Sequence, residues 1–116
     1  MKSGTDLINE SKARIKQIDA AEALALHKKG GVTFLDVRDQ QEVNLGKIPD
    51  AVHISRGNLE TKIEAVVPRG ADVVIYCASG NRSAFAADTM QQMGYTNVCS
   101  LAGGFRGWAE AGGDID

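Results

Sequence analysis

The segment Val73-Val74-Ile75-Tyr76-Cys77-Ala78-Ser79-Gly80-Asn81-Arg82-Ser83 joins four apolar residues to a cysteine, a short polar loop and a helix-forming run. Four bulky residues without alternation predict a strand buried on both faces, as strands are in parallel sheets. Ser83 to Met93 carries apolar residues at helical spacing, and Gly94 stands where a helix would end. Cys77 is thereby expected where a strand turns into a helix. The five backbone N–H groups from Ala78 to Arg82 lie in a loop too tight for ladder pairing, and the helix start adds the positive end of its dipole. The arrangement predicts a cradle for negative charge.

Thiolate is the reacting form of cysteine, and a helix N-terminus with a nearby arginine lowers its pKa from about 8.5 to roughly 3.5–7.5. Arg82 is the expected charge partner. Gly80 permits the positive φ that lets successive N–H groups converge, and the hydroxyls of Ser79 and Ser83 are expected to point into the same bowl. Ala78 and Asn81 add neutral backbone donors. A cysteine ending an apolar strand is commonly a small core residue. An inert one, however, gives no reason for this polar, cationic collar, in which no acid stands.

Along the chain, Leu7, Ile8, Ser11, Ile15 and Ile18 give a partly amphipathic lead segment, read as an accessory helix over residues 1–15 ahead of a body over 16–116. Asp19 with Glu22 predicts a capping box for a helix from Ala20 to Lys28, stopped at Gly30-Gly31. Strands are expected at Thr33–Asp36, Val52–Ile54, Val73–Tyr76 and Val98–Leu101. Helices are expected near Gln40–Leu45, Leu59–Val66, Ser83–Met93 and Phe105–Ala111. This alternation predicts an α/β fold with a mainly parallel sheet and helices on both faces, whose ligands bind at the carboxyl ends of the strands. Asp36 and Arg38 come at another such end. They are expected to support the bowl, Asp36 by accepting loop N–H groups and Arg38 by forking to Glu42 or a loop carbonyl, with direct substrate contact the lesser role.

The loop Cys77-Ala78-Ser79-Gly80-Asn81-Arg82-Ser83 resembles the active-site loop of the rhodanese family of sulfurtransferases. Upstream, Phe34-Leu35-Asp36-Val37-Arg38, Glu42 and Gly46-Lys47-Ile48-Pro49-Asp50-Ala51-Val52-His53-Ile54 are similar to the family's aspartate–variable–arginine strand end and its glycine–x–isoleucine–proline–x–alanine turn. Gly103-Gly104-Phe105-Arg106-Gly107-Trp108 resembles its closing turn and helix. The departures are Val43-Asn44 where an aromatic is frequent, Lys47 where histidine is common and Asp50 where glycine is common. The resemblance spans roughly residues 16 to 112 and implies a single rhodanese-like domain with a five-stranded sheet and no cofactor or metal. It further implies a persulfide mechanism: Cys77 takes the outer sulfur of an anionic donor such as thiosulfate, then yields it to cyanide or a thiol. A protein sulfur acceptor is a further partner it allows.

With 116 residues, 43% of them hydrophobic, the chain has the size of one domain with its own core. Residues 1–30 hold six Lys/Arg against four Asp/Glu, and the remainder seven against eleven, so no basic stripe for nucleic acid is expected. No apolar run suits a leader or membrane span, and two cysteines make no disulfide framework, so a cytoplasmic location is expected. Cys99 reads as a buried small hydrophobe rather than a resolving thiol, Trp108 and Phe105 as core packing, and His27 and His53 as surface or strand residues. Two rival readings are carried. One is a non-catalytic persulfide carrier; the other is a cysteine-dependent phosphatase or arsenate reductase. Against the latter stand the six-residue count from Cys77 to Arg82, where related cell-cycle phosphatases use seven, and the lack of a general acid in the loop.

Overall fold

The computed structural model describes all 116 residues. Five strands, β1 (Lys16–Ile18), β2 (Thr33–Asp36), β3 (Val52–His53), β4 (Val73–Tyr76) and β5 (Val98–Leu101), form one sheet in the order β1-β5-β4-β2-β3. Every pair is parallel. The helices are α1 (Gly4–Arg14), α2 (Ala20–Lys29), α3 (Gln40–Asn44), α4 (Leu59–Val66), α5 (Asn81–Gln92) and α6 (Gly104–Glu110), with a 3₁₀ turn at Arg56–Asn58. The α/β architecture with a five-stranded parallel sheet is thus the one expected.

Side chains alternate across the sheet and define two cores. Val73, Ile75 and Cys77 face Leu59 and Ile63 of α4 and Ala86, Ala87 and Met90 of α5. Val74 and Tyr76 face Ala23 of α2 and Trp108 of α6. Helices therefore cover both faces, and each large side chain sealed between them contributes about 1.5–3 kcal/mol. The alanines of α5 matter for the site, since their small volume lets that helix lie close against β4 and puts its N-terminus over the end of the strand. At its other end α5 closes as expected around Gly94 at φ 96°, with Gly94 N–H donating to Gln91 O (3.1 Å) and Tyr95 N–H to Met90 O (3.0 Å).

Several boundaries differ from the sequence reading. The lead helix expected over residues 1–15 is α1 and ends at Arg14, while residues 16–18 form an edge strand, β1, that the sequence did not suggest. Two of its three residues are exposed, so it carries no alternating signal. The Asp19 side chain accepts from Glu22 N–H (2.9 Å), but no reciprocal bond forms, so this is a simple cap rather than a box. Full capping boxes occur at Ser3/Asp6 and Asp39/Glu42. α5 begins two residues before Ser83, because Gly80 at φ 108° already completes the turn. β3 stops one residue short of Ile54, and α3 ends before Leu45, which is 91% exposed.

α1 docks on α5 through a polar seam. Arg14 places Nη2 2.6 Å and Nε 3.1 Å from Asp88 carboxylate oxygens, Ser11 Oγ donates to Asp88 at 3.3 Å, and Gln91 Nε2 donates to Arg14 O at 2.9 Å. The Arg14 bond leads the effects that hold the Asp88 carboxyl below its ordinary pKa.

The loop after β4 is fixed from outside by α6. Phe105 N–H donates to Cys77 O (2.8 Å) and Arg106 N–H to Ala78 O (3.3 Å). These bonds draw two carbonyls toward α6 and leave the loop's N–H groups for its other side. The approach requires glycine: a Cβ on Gly104, at φ 57°, would lie 2.5 Å from Cys77 O and 2.6 Å from Ala78 O.

Gly104→Ala is expected to destabilise the protein by about 2 kcal/mol or more through that clash and its positive φ, read as a lower urea midpoint. Asp88→Ala is expected to cost about 1–3 kcal/mol, because Ser11 and Arg14 lose their acceptor. Since the folded Asp88 carboxyl is the more acidic, its contribution is complete above the unfolded pKa and disappears as pH falls through the folded one. Urea midpoints of parent and Asp88→Ala should accordingly converge in acid.

Candidate active site

Cys77 follows directly on the central strand β4 and is 1% exposed. Its Sγ receives the Gly80 N–H at 3.1 Å and the Ser83 N–H at 3.4 Å, and lies 3.5 Å from Ser83 Oγ. Burial pushes the thiol pKa up, but the Ser83 hydroxyl and the N–H groups of Ser83, Gly80 and Ser79 outweigh it, leaving Cys77 below an ordinary thiol. The N–H groups of Ala78, Asn81 and Arg82 are not among the loop donors bonded to the sulfur or to a loop carbonyl. Gly80, at φ 108°, makes the convergence possible.

The hydroxyls divide differently from the sequence reading. Ser83 is fully buried beneath the sulfur and is also 2.8 Å from Ser100 Oγ, likewise buried, on β5. Ser79 is exposed, and its side chain makes no bond to the sulfur. Ser100 is a polar neighbour that the sequence reading missed, since one serine in a short buried strand carries no pattern.

Arg82 does not stand as a free cation in the bowl. Its Nη1 and Nη2 each lie 2.8 Å from a different carboxylate oxygen of Glu42, a two-point ion pair. Glu42 is itself fixed, because Oε2 accepts the Asp39 N–H at 3.0 Å in the capping box of α3. The Arg82 bond, with the Asp39 N–H, pulls Glu42 down to about 2, and Glu42 in turn raises Arg82. This corrects two expectations. The collar contains an acid at its rim, and Glu42 partners Arg82 rather than Arg38.

Asp36 and Arg38 form a separate, closed unit, with side chains 0% and 5% exposed. Asp36 accepts the Arg38 backbone N–H (2.9 Å) and its guanidinium (Nη2 2.7 Å), so it holds the turn after its own strand rather than the bowl it was expected to support. Arg38 Nη2 also donates to Gly46 O at 2.7 Å, the loop carbonyl of the alternative expectation. The Phe105 ring covers the guanidinium at 4.3 Å, and Tyr76 lies at 5.6 Å. So enclosed, the two side chains bond to each other and to the Gly46 turn, and neither forms a hydrogen bond with the Cys77 loop. Phe105 is therefore a half-buried cover over Arg38, while Trp108 is core, at 1% exposure.

Asp50, which stands where the resembled pattern has glycine, is the one non-glycine residue with positive φ, at 66°. Aspartate tolerates that region better than most residues. His53 lies in β3, one of the two expected places, while His27 lies in α2; both are half-buried, and their Nε2 atoms lie 2.7 Å from Arg38 O and 2.9 Å from Pro49 O, respectively. Cys99 is buried in the core on the opposite face from Cys77, and burial raises its thiol.

Residues 19–111 match the family model described as Rhodanese-like domain. A sulfurtransferase of Allochromatium vinosum is 38% identical over 81 residues, covering 70% of this chain and 75% of that protein. The thiosulfate sulfurtransferase GlpE of Coxiella burnetii is 36% identical over 93 residues, covering 80% and 86%. A Rhodopseudomonas palustris protein of unknown function, described as a possible tyrosine phosphatase, superposes with a TM-score of 0.90 at 36% identity, covering 100% of this chain and 96% of that one. A rhodanese-related protein of Thermoplasma volcanium gives a TM-score of 0.79 at 32% identity, covering 87% and 97%. With the match over residues 19–111 and relatives 38% and 36% identical over most of its length, the chain belongs to the rhodanese-like domain family.

Proposed function

We propose that this protein is a sulfurtransferase that moves a sulfane sulfur from thiosulfate or a similar anionic donor, through a Cys77 persulfide, to cyanide or a thiol. The observation that carries the reading is a buried, acidified thiol ringed by the donors of Gly80 and Ser83. In the first step the Cys77 thiolate attacks the outer sulfur of thiosulfate, a Cys77 S–S bond forms, and sulfite leaves with the electron pair of the broken S–S bond. In the second, cyanide takes the outer sulfur as thiocyanate and returns the thiolate. Both steps balance without a cofactor. The N–H groups of Ala78, Asn81 and Arg82 serve the charge that is carried through the transfer. Residues 16–116 make up the catalytic domain, with α1 as its accessory helix. The cytoplasm, where thiols stay reduced, suits an enzyme that needs free Cys77.

A phosphatase is disfavoured although one structural neighbour is described as a possible member of that class. Both terminal nitrogens of Arg82 are committed to Glu42. Glu42, held at about 2, carries no proton to give a leaving alkoxide at neutral pH. The same pairing favours a second reading, a persulfide carrier that receives sulfur from a protein or polysulfide. With Arg82 neutralised, a dianionic donor meets a bowl of backbone dipoles with no unpaired cation inside it.

Incubation with thiosulfate should add one sulfur atom to the intact mass, and cyanide should then release thiocyanate; both should vanish in Cys77→Ser. An adduct from polysulfide but not from thiosulfate identifies the carrier, and no adduct from either overturns the sulfur reading. Glu42→Gln, which removes a negative charge at the rim, is expected to raise kcat/KM for thiosulfate about tenfold at low salt, while leaving a neutral trisulfide donor nearly unaffected. Equal changes for both donors would mean that Glu42 acts only on loop structure.

A further inference from the structure

Behind the sulfur lie two hydroxyls in series. Ser83 Oγ is 3.5 Å from Cys77 Sγ and 2.8 Å from Ser100 Oγ, and both serines are fully buried. Ser100 belongs to β5, in register with Ile75 of β4, and its β5 neighbours Cys99 and Leu101 belong to the apolar core on the other face. Parallel neighbours in register share a face, so Ser100 looks toward the α5 side, the face on which Ile75, Ala86 and Ala87 lie. An alanine there would bury no polar atom, so an unpartnered hydroxyl would be a cost without a return.

Each serine hydroxyl has one proton to donate and lone pairs to accept with. While Cys77 is a thiol, its S–H donates to Ser83, and the Ser83 proton is free to point at Ser100. Once Cys77 is a thiolate, the Ser83 proton must turn to the sulfur. Ser83 then needs a donor behind it, and Ser100 is the group at bonding distance. The two hydroxyls thus point one way for the thiol and the other for the thiolate.

We propose that Ser100 is a positioning residue: by donating to Ser83 Oγ it holds the Ser83 hydroxyl aimed at the Cys77 thiolate. The inference rests on Cys77 as the reacting sulfur of the proposed transferase, but not on the identity of any donor. Ser100 touches no substrate and acts only through Ser83.

The test is the pH dependence of Cys77 alkylation by iodoacetamide, in a Cys99→Ala background so that one thiol reports, with urea denaturation confirming each variant's fold. Ser100→Ala removes a single oxygen. It is expected to raise the apparent pKa of Cys77 by roughly half to one unit, lowering the alkylation rate on the acid side about three- to tenfold and leaving the alkaline plateau unchanged. Ser83→Ala should produce a shift at least as large. Adding Ser100→Ala to Ser83→Ala should then move nothing further, because the relay is already cut. Ser100→Thr, which keeps the hydroxyl, should return the titration toward that of the parent, and Ser100→Gly serves as a second deletion should the alanine variant fail to fold. An unchanged titration in both deletion variants, or an equal shift when Ser83 is already alanine, would overturn the proposal. If sulfur transfer fails with every donor while the titrations behave as expected, the function reading falls and the positioning role stands.

Discussion

Two backbone hydrogen bonds, Phe105 N–H to Cys77 O and Arg106 N–H to Ala78 O, set the conditions for everything at the site. A peptide unit has opposed ends, so fixing its carbonyl fixes the direction of the neighbouring N–H. By holding two carbonyls of the loop, α6 leaves donors on the sulfur side, and Gly80 supplies the single turn that a side chain would resist. Gly104 is the condition for that contact, because no Cβ fits between α6 and the loop. The thiol's acidity thus begins with a glycine more than twenty residues further along the chain, before any charged side chain is counted.

The two arginines of the site region have different tasks, set by their surroundings. Arg38 is sealed with Asp36 beneath Phe105, where an unpaired charge would be prohibitive, and it fastens the Gly46 turn to the end of β2. Arg82 sits at the half-exposed rim with Glu42, where the ion pair is screened and open to competition from a bound anion. One pair is a rivet in the scaffold. The other is a two-point pair at the rim of the Cys77 loop.

The loop around Cys77 was legible because its information is local: an apolar run, a cysteine, a glycine and a helix start lie within eleven residues. The central strands were legible for the same reason. Partner choice was not, since it depends on where distant segments meet. Glu42 could be assigned to Arg38 on sequence proximity, but α3 carries it to Arg82. Its place three residues after Asp39 was a readable sign of a capping box, and this would have fixed its orientation. β1 was missed because a three-residue edge strand with two exposed side chains has no periodicity to detect. Ser100 was hidden for a related reason, as a hydroxyl among apolar residues declares itself only when its partner is seen. Asp50 shows the converse, where a departure from a resembled pattern proved compatible with the backbone it must adopt.

The two cysteines lie in separate cores on opposite faces of the sheet, with β4 and β5 themselves as the partition. An oxidised or sulfur-laden Cys77 consequently has no internal thiol to form a disulfide with. Were Cys77 to carry sulfur as proposed, its release would need a nucleophile from outside the chain, and a sulfenic acid formed there would need a thiol from the surrounding solution.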